Sequence, residues 1–224
     1  TTVTLTVLHE GEEEPAHVLI VRSEIQPKTV VWEMRDDIAY VQIAHFLQPT
    51  ADEFDSVMAE ANGAEGGIAG IVLDLRNNPG GLLDSVVDIA SHFVEDGVVT
   101  YVVDSEGERS FLQASPHKIK VKLPIVVLVN EFSASGSEVL SGALRDHGLA
   151  ILAGERTFGK GSVNIFRPLS NGGALYITTS RWLTPDGTLI EGQGLEPDFI
   201  TELQDDELVD WAIRYLHGEE LCPP

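Results

Sequence analysis

Apolar positions recur along this chain in two periods, and the period changes mark its elements. In the first stretch Val3, Leu5 and Val7 point one way, a polar turn runs from His9 to Pro15, and Val18-Leu19-Ile20-Val21 returns. This predicts a β-hairpin. A lone hairpin cannot bury its apolar face and needs partners, and Pro27 marks a boundary behind it. Val30 to Met34 and Ala39 to Ile43 read as two more strands around the turn Asp36-Asp37. Thr50 or Asp52 then caps a helix to about Ala61, ended by Gly63, Gly66 and Gly67.

Beyond this point strands and helices alternate. Ile68 to Leu75 is a buried strand, Leu82 to Val94 an amphipathic helix, and Val98 to Val103 a strand. Pro124 to Val129 is a strand, Glu138 to Arg145 a helix, and Ala150 to Ala153 closes the run. Strands that are apolar throughout, separated by helices, predict an α/β core. Val163 to Phe166 and Ala174 to Leu183 are later strands, and Asp205 to His217 is a terminal helix. No internal repeat or low-complexity tract is present.

Composition narrows the function classes. Acidic side chains number 36 against 14 Lys and Arg, a net charge of −22. That balance argues against nucleic acid or an anionic lipid surface as partner. Cys222 is the only cysteine, so no intrachain disulfide framework exists. No apolar run approaches the ~20 residues that span a membrane. The first residues already read as strand and not as a signal peptide. The chain is therefore expected to be a piece of a longer one whose upstream part carries any address.

Candidate chemistry lies in three glycine-rich loops. Asn130 to Glu138 links a fully apolar strand to a helix and contains Ser133-Ala134-Ser135-Gly136-Ser137. Ser135-x-x-Glu138 is also a capping box, so a purely structural role for the serine stands beside a nucleophilic one. The N–H of Gly136, at a helix N-terminus, suits a developing oxyanion. A second donor is expected from Asn77-Asn78-Pro79-Gly80-Gly81, which otherwise reads as a tight turn. Two such loops leave the same carboxyl edge if their strands pair in parallel.

The third loop, Thr157 to Val163, carries Lys160 between Gly159 and Gly161. A serine with a lysine base hydrolyses peptide bonds without histidine. Gly154 to Lys160 also fits G-x-x-x-x-G-K, but Gly161 replaces the Mg²⁺-holding hydroxyl residue and a strand follows, which disfavours a phosphate loop. The seven histidines are His9, His17, His45, His92, His117, His147 and His217. None sits in a glycine-rich loop, although Asp146-His147 leaves a Ser-His-Asp arrangement conceivable. No spacing suggests a metal site.

Taken together, these segments resemble the carboxyl-terminal processing, or tail-specific, proteases. The likeness is carried by Asp74 to Leu82, Val129 to Glu138, Gly142 to Asp146, Gly154 to Val163, Leu183 to Gly187 and Gly194 to Asp198, in order and over nearly the whole chain. The resemblance implies a crotonase-like α/β core with a small flanking mostly β region. It implies Ser135 as nucleophile and Lys160 as base, with Gly136 and Gly81 as oxyanion donors and Asp146 in support. The glutamine that usually assists the lysine is Asn164 here, shorter by one methylene. Residues 1–27 resemble the last hairpin of a PDZ domain, leaving 28–224 as the protease core. The implied substrate is a protein or peptide with a free, often apolar, C-terminus, the implied compartment is extracytoplasmic, and no cofactor is implied. A homo-oligomer stays open. The alternative from another class is a non-catalytic peptide- or apolar-ligand-binding module of the same fold.

Overall fold

The computed structural model describes residues 1–23, 27–116, 120–219 and 222–223; His117 lies outside them. The described residues form three sheets. Among them the hairpin β1 (Thr2–Val7) and β2 (Ala16–Val21) pairs only with itself. Its Leu19 and Val21 are exposed, which leaves unmet the need for partners that the alternation predicts.

The central sheet has six strands: β3 (Val30–Arg35), β4 (Ile38–Ile43), β5 (Gly70–Asp74), β8 (Ile125–Val129), β9 (Ala150–Gly154) and β12 (Phe199–Ile200). Their order is β12-β9-β8-β5-β4-β3, and every neighbouring pair is parallel except β3 with β4. Alternating side chains supply two cores, as the strand period of two demands. Ile71, Leu73, Val127 and Val129 face one cluster with α1 (Thr50–Gly63), α2 (Leu83–Ala90) and α3 (Gly136–Asp146). Val72, Val126 and Leu128 face the other, where α4 (Asp205–Leu216) lays Leu208, Trp211 and Ala212. A leucine buried this completely stabilises by roughly 1.5–3 kcal/mol relative to exposure.

The third sheet is antiparallel, in the order β10-β11-β6-β7. It comprises β6 (Val98–Asp104), β7 (Arg109–Gln113), β10 (Ser162–Pro168) and β11 (Ala174–Leu183). Trp182, Val102 and Leu112 turn one of its faces onto the first core. The strand at Val98 thus leaves the parallel sheet. The helix expected to reach Val94 ends at Ala90, where Ser91 Oγ donates to Val87 O at 2.6 Å and the chain turns to set Phe93 edge-to-face with Phe54. Among the described residues no helix is long and apolar enough to cross a membrane.

Candidate active site

Strands β5 and β8 are parallel partners, Ile71 against Ile125 through Asp74 against Leu128. The loops that follow them therefore leave one carboxyl edge together. They are stitched at several points. Ser133 Oγ donates to Leu75 O at 2.8 Å, Ser137 Oγ to Asn78 O at 2.9 Å, and Asn77 N to Asn130 Oδ1 at 2.9 Å. Ser133 and Ser137 are fully buried by this work. Ser135, half-buried between them, stands at the head of α3 with φ 55° and ψ −111°. A non-glycine residue in that region is strained, and such strain collects at functional sites.

The glycine turn touches the serine. A Cβ on Gly80 (φ +96°) would lie 2.7 Å from both Ala134 O and Gly136 N and 2.8 Å from Ser135 Cβ. Gly81 (φ +150°) is pressed on Phe46 O, which a Cβ would meet at 2.0 Å. Gly80 N donates to Asn78 Oδ1 at 2.8 Å. Among the described residues neither Gly81 N–H nor Gly136 N–H has an acceptor. The glycine turn thus lies beside the serine through Gly80, while Gly81, the expected second donor, packs on Phe46.

The lysine loop is held to the serine loop by Glu138. This carboxylate is fully buried. Its Oε2 accepts Ser135 N at 2.8 Å and Lys160 N at 2.9 Å, and its Oε1 accepts Thr157 Oγ1 at 2.6 Å and Gly159 N at 2.7 Å. Burial pushes the Glu138 carboxyl above the ordinary carboxylate range, against the pull of its four donors. The expected capping box of Ser135 and Glu138 is present, and Glu138 also reaches the lysine loop. Gly161 is packed on Glu191, whose N a Cβ would meet at 2.3 Å, so Lys160 is indeed drawn close to a neighbouring backbone.

The Lys160 side chain is exposed. It borders a hollow of about 410 Å³ lined by Asn77, Pro79, Phe132, Ala134, Phe158 and Lys160. Hollows of about 510 and 570 Å³ lie elsewhere, beside Phe93 and beside Arg109. Among the described residues no hydrogen bond joins Ser135 Oγ to Lys160 Nζ. Asn164 turns to β11, accepting Thr178 Oγ1 at 2.7 Å, and does not bond Lys160. Asp146 closes the far end of α3, roughly 16 Å of helix from Ser135, where its Oδ2 accepts Asp186 N at 3.0 Å.

Sequence reasoning found Glu138 only as a cap. It also passed over Asp74, fully buried at the end of β5, which takes Tyr40 OH at 2.7 Å and Arg76 Nη2 at 2.6 Å. Burial beside that carboxylate drives the Tyr40 phenol well above its usual range. An Asp-x-Arg directly after an apolar strand was the available signal. No group of three His, Cys, Asp or Glu among the described residues could hold a metal ion.

A mixed sheet that brings serine, glycine and lysine loops to one edge fits the serine peptidases. The sequence matches peptidase family S41 over residues 37–201, and the chain belongs to that family. It is 36% identical over 205 residues to a carboxy-terminal-processing protease of Bartonella bacilliformis, covering 90% of this chain and 47% of that protein. It is 40% identical over 200 residues to a Staphylococcus haemolyticus protein named "Probable CtpA-like serine protease", covering 88% of this chain and 40% of that one. Among solved structures it resembles a photosystem II D1 C-terminal processing protease, with TM-score 0.75, 30% identity, and coverage of 95% of this chain and 60% of that one. The chain spans less than half the length of these curated relatives.

Proposed function

We propose that this chain is the catalytic core of a serine endopeptidase acting near exposed, often apolar, C-terminal tails. The observation that carries the reading is the Glu138 clamp, which ties the amides of Ser135 and Lys160 to one oxygen at the head of the helix whose first N–H, that of Gly136, has no acceptor among the described residues. Lys160 Nζ takes the Ser135 Oγ proton as Oγ attacks the scissile carbonyl carbon. The carbonyl electron pair moves onto oxygen, which Gly136 and Gly81 N–H groups receive; a donor of this kind contributes roughly 10²–10³-fold in rate. Collapse of the intermediate expels the amine, which leaves with the proton from Lys160. Water, deprotonated by Lys160, then hydrolyses the acyl-serine. In the structure the two side chains are not yet bonded, so Lys160 has to swing across the hollow for turnover.

The core is read as crotonase-like, with the antiparallel β6-β7-β10-β11 sheet as its β flank. The detached hairpin β1–β2, with its exposed apolar faces, is read as the last part of a PDZ domain. The names of the relatives support a tail-processing role, and an extracytoplasmic compartment belongs to the same reading. The test is Ser135→Ala and Lys160→Ala on casein and on a peptide with an apolar free tail, together with fluorophosphonate labelling. Each variant is expected to keep its melting temperature and to lose on the order of 10³-fold or more in turnover. Cleavage by Lys160→Ala at the parent rate would remove the lysine from the mechanism. Failure of the parent to label or cleave would favour the binding-module alternative.

A further inference from the structure

The outward face of the antiparallel sheet holds two arginines that the catalytic reading does not use. Register places Arg181 of β11 against Val103 of β6, and Val103 against Arg109 of β7. Residues directly opposite share a face, so both guanidinium groups rise from one rung, their Cα atoms roughly 9–10 Å apart across two strand spacings. The opposite face is taken by Trp182 and Val102, packed on the core. The two arginines flank a hollow of about 570 Å³ whose wall includes the hydroxyls of Ser105 and Thr179 and the apolar Leu183 and Leu189.

Four other arginines are neutralised. Arg35, Arg76, Arg145 and Arg156 each pair with a carboxylate. Among the described residues neither Arg109 nor Arg181 has an ion pair. The neighbouring Asp104 spends its Oδ1 on the turn amides of Glu106 and Glu108, at 2.9 and 3.0 Å. Arg109 lies over the Tyr101 ring, 5.9 Å from its centroid, and Tyr101 is braced edge-on by Phe111. In a chain of net charge −22, this rung sets two guanidinium groups without ion pairs on one face, with Asp104 in the wall of the same hollow. It suits an anion that arrives from outside. The place also matters: Ser162 pairs with Arg181, and Trp182 N donates to Gly161 O at 2.7 Å. The rung is therefore bonded to the residues that directly follow Lys160.

We propose that the Arg181–Val103–Arg109 rung docks a carboxylate of the peptide that the Ser135 site processes. This rests on the peptidase reading for the identity of the ligand, not for the existence of the site. The carboxylate has two possible sources, the chain end or an Asp or Glu side chain, and both present the same planar acceptor to the arginine forks. The apolar floor takes the adjoining side chains.

The test uses Ser135→Ala protein, which binds without turnover, and fluorescein-labelled apolar peptides in three forms. One has a free α-carboxylate, one a C-terminal amide, and one an amide with a single internal Glu. By anisotropy at low salt, the free acid is expected to bind roughly 10-fold more tightly than the amide, the scale of charge-assisted hydrogen bonds. Adding Arg109→Gln and Arg181→Gln is expected to abolish that difference while the thermal melt stays unchanged. Internal Glu restoring affinity to the amide assigns the site to side-chain carboxylates; no restoration assigns it to the chain end. Equal binding of acid and amide, or a preference that survives loss of both arginines, overturns the proposal. The peptidase reading fails separately, through absence of turnover in the Ser135 protein, whatever the binding shows.

Discussion

The backbone amides of Ser135 and Lys160 meet on a single oxygen: both donate to Glu138 Oε2, at 2.8 and 2.9 Å. The serine and lysine loops are thus registered through their main chains, with no bond between the two side chains. Small residues on both sides make this approach possible, since Gly136, Gly159 and Gly161 leave no Cβ between the loops and their neighbours.

Glu138→Gln tests the clamp. The carboxylate is acceptor-only and faces four donors, so an amide would aim its own NH₂ at one or two of them. A buried donor left without a partner costs about 1–3 kcal/mol. The expected result is a lower melting temperature with a native circular dichroism spectrum, and fluorophosphonate labelling slowed by roughly the 5–150-fold that this energy represents. Labelling at the parent rate would show that the clamp is structural alone.

Acid should act on the same residue. Burial holds the Glu138 carboxyl above its ordinary range, so the folded protein keeps that proton more tightly than the unfolded chain. Its contribution to stability is therefore fully present below the unfolded value and is lost as pH rises through the folded one. Protonation nevertheless removes an acceptor that Ser135 and Lys160 share. On acidification, labelling is expected to fall while this group does not destabilise the fold. A labelling curve that tracks the unfolding curve at every pH would contradict the assignment.

Gly80→Ala tests the contact between the glycine turn and the serine. The new methyl would sit 2.7 Å from Gly136 N in a backbone at φ +96°, whereas Gly187, at φ +88°, has nothing within 4 Å. Left-handed backbone alone costs about 1–2 kcal/mol in each variant. Only Gly80→Ala also has to displace Ser135 and Gly136. It is expected to lose turnover, while Gly187→Ala loses stability alone, as paired melts and casein assays would read.

His217, at the end of α4, bonds Asp37 in the β3–β4 turn at 2.6 Å. The hydrogen bond to Asp37 raises the imidazole pKa, and the His217 bond lowers that of Asp37. The raised histidine stabilises fully below its unfolded value, near ~6.5, and loses this as pH rises through the folded value. The lowered aspartate stabilises above its unfolded value, near ~3.9, and loses this as pH falls through the folded one. The pair therefore helps most in the mildly acidic window between those values. His217→Gln is expected to lower the melting temperature slightly at pH 5.5 and not at pH 8.5. An equal drop at both would remove the charge from the explanation.

Much of this architecture is legible locally. Ala174 to Leu183 is found end for end, and the parallel strands at Ile71 and Ile125 announce themselves because both of their faces are buried. The strand β7 passes unnoticed because it is an exposed edge with only Phe111 and Leu112 apolar. The helix after Leu82 reads too long because Phe93 and Val94 continue the apolar pattern from within buried turns. That β6 pairs with β11 and not with β5 depends on partners far along the chain, which no window shows. The site divides the same way. Ser135, Lys160 and the glycines stand out by composition, whereas the reach of Glu138 to Thr157, Gly159 and Lys160 is a tertiary fact.

Phe158 offers a last, separable test, because its side chain and its backbone do different things. The ring is 65% exposed at the rim of the hollow beside Lys160, facing Phe132, which is 56% exposed. The backbone N–H donates to Ser133 O at 3.0 Å and so helps hold the lysine loop in place. Phe158→Ala removes the ring and keeps that bond. Stability is expected to change by no more than about 0.5 kcal/mol, as for other surface positions. If the ring receives an apolar substrate side chain, KM for an apolar-tailed peptide should rise roughly 5–30-fold, the value of a partly buried phenyl contact, with kcat nearly unchanged. A peptide with a polar tail should show no such rise. An equal rise for both peptides would make the ring a general brace of the loop and not a specificity element.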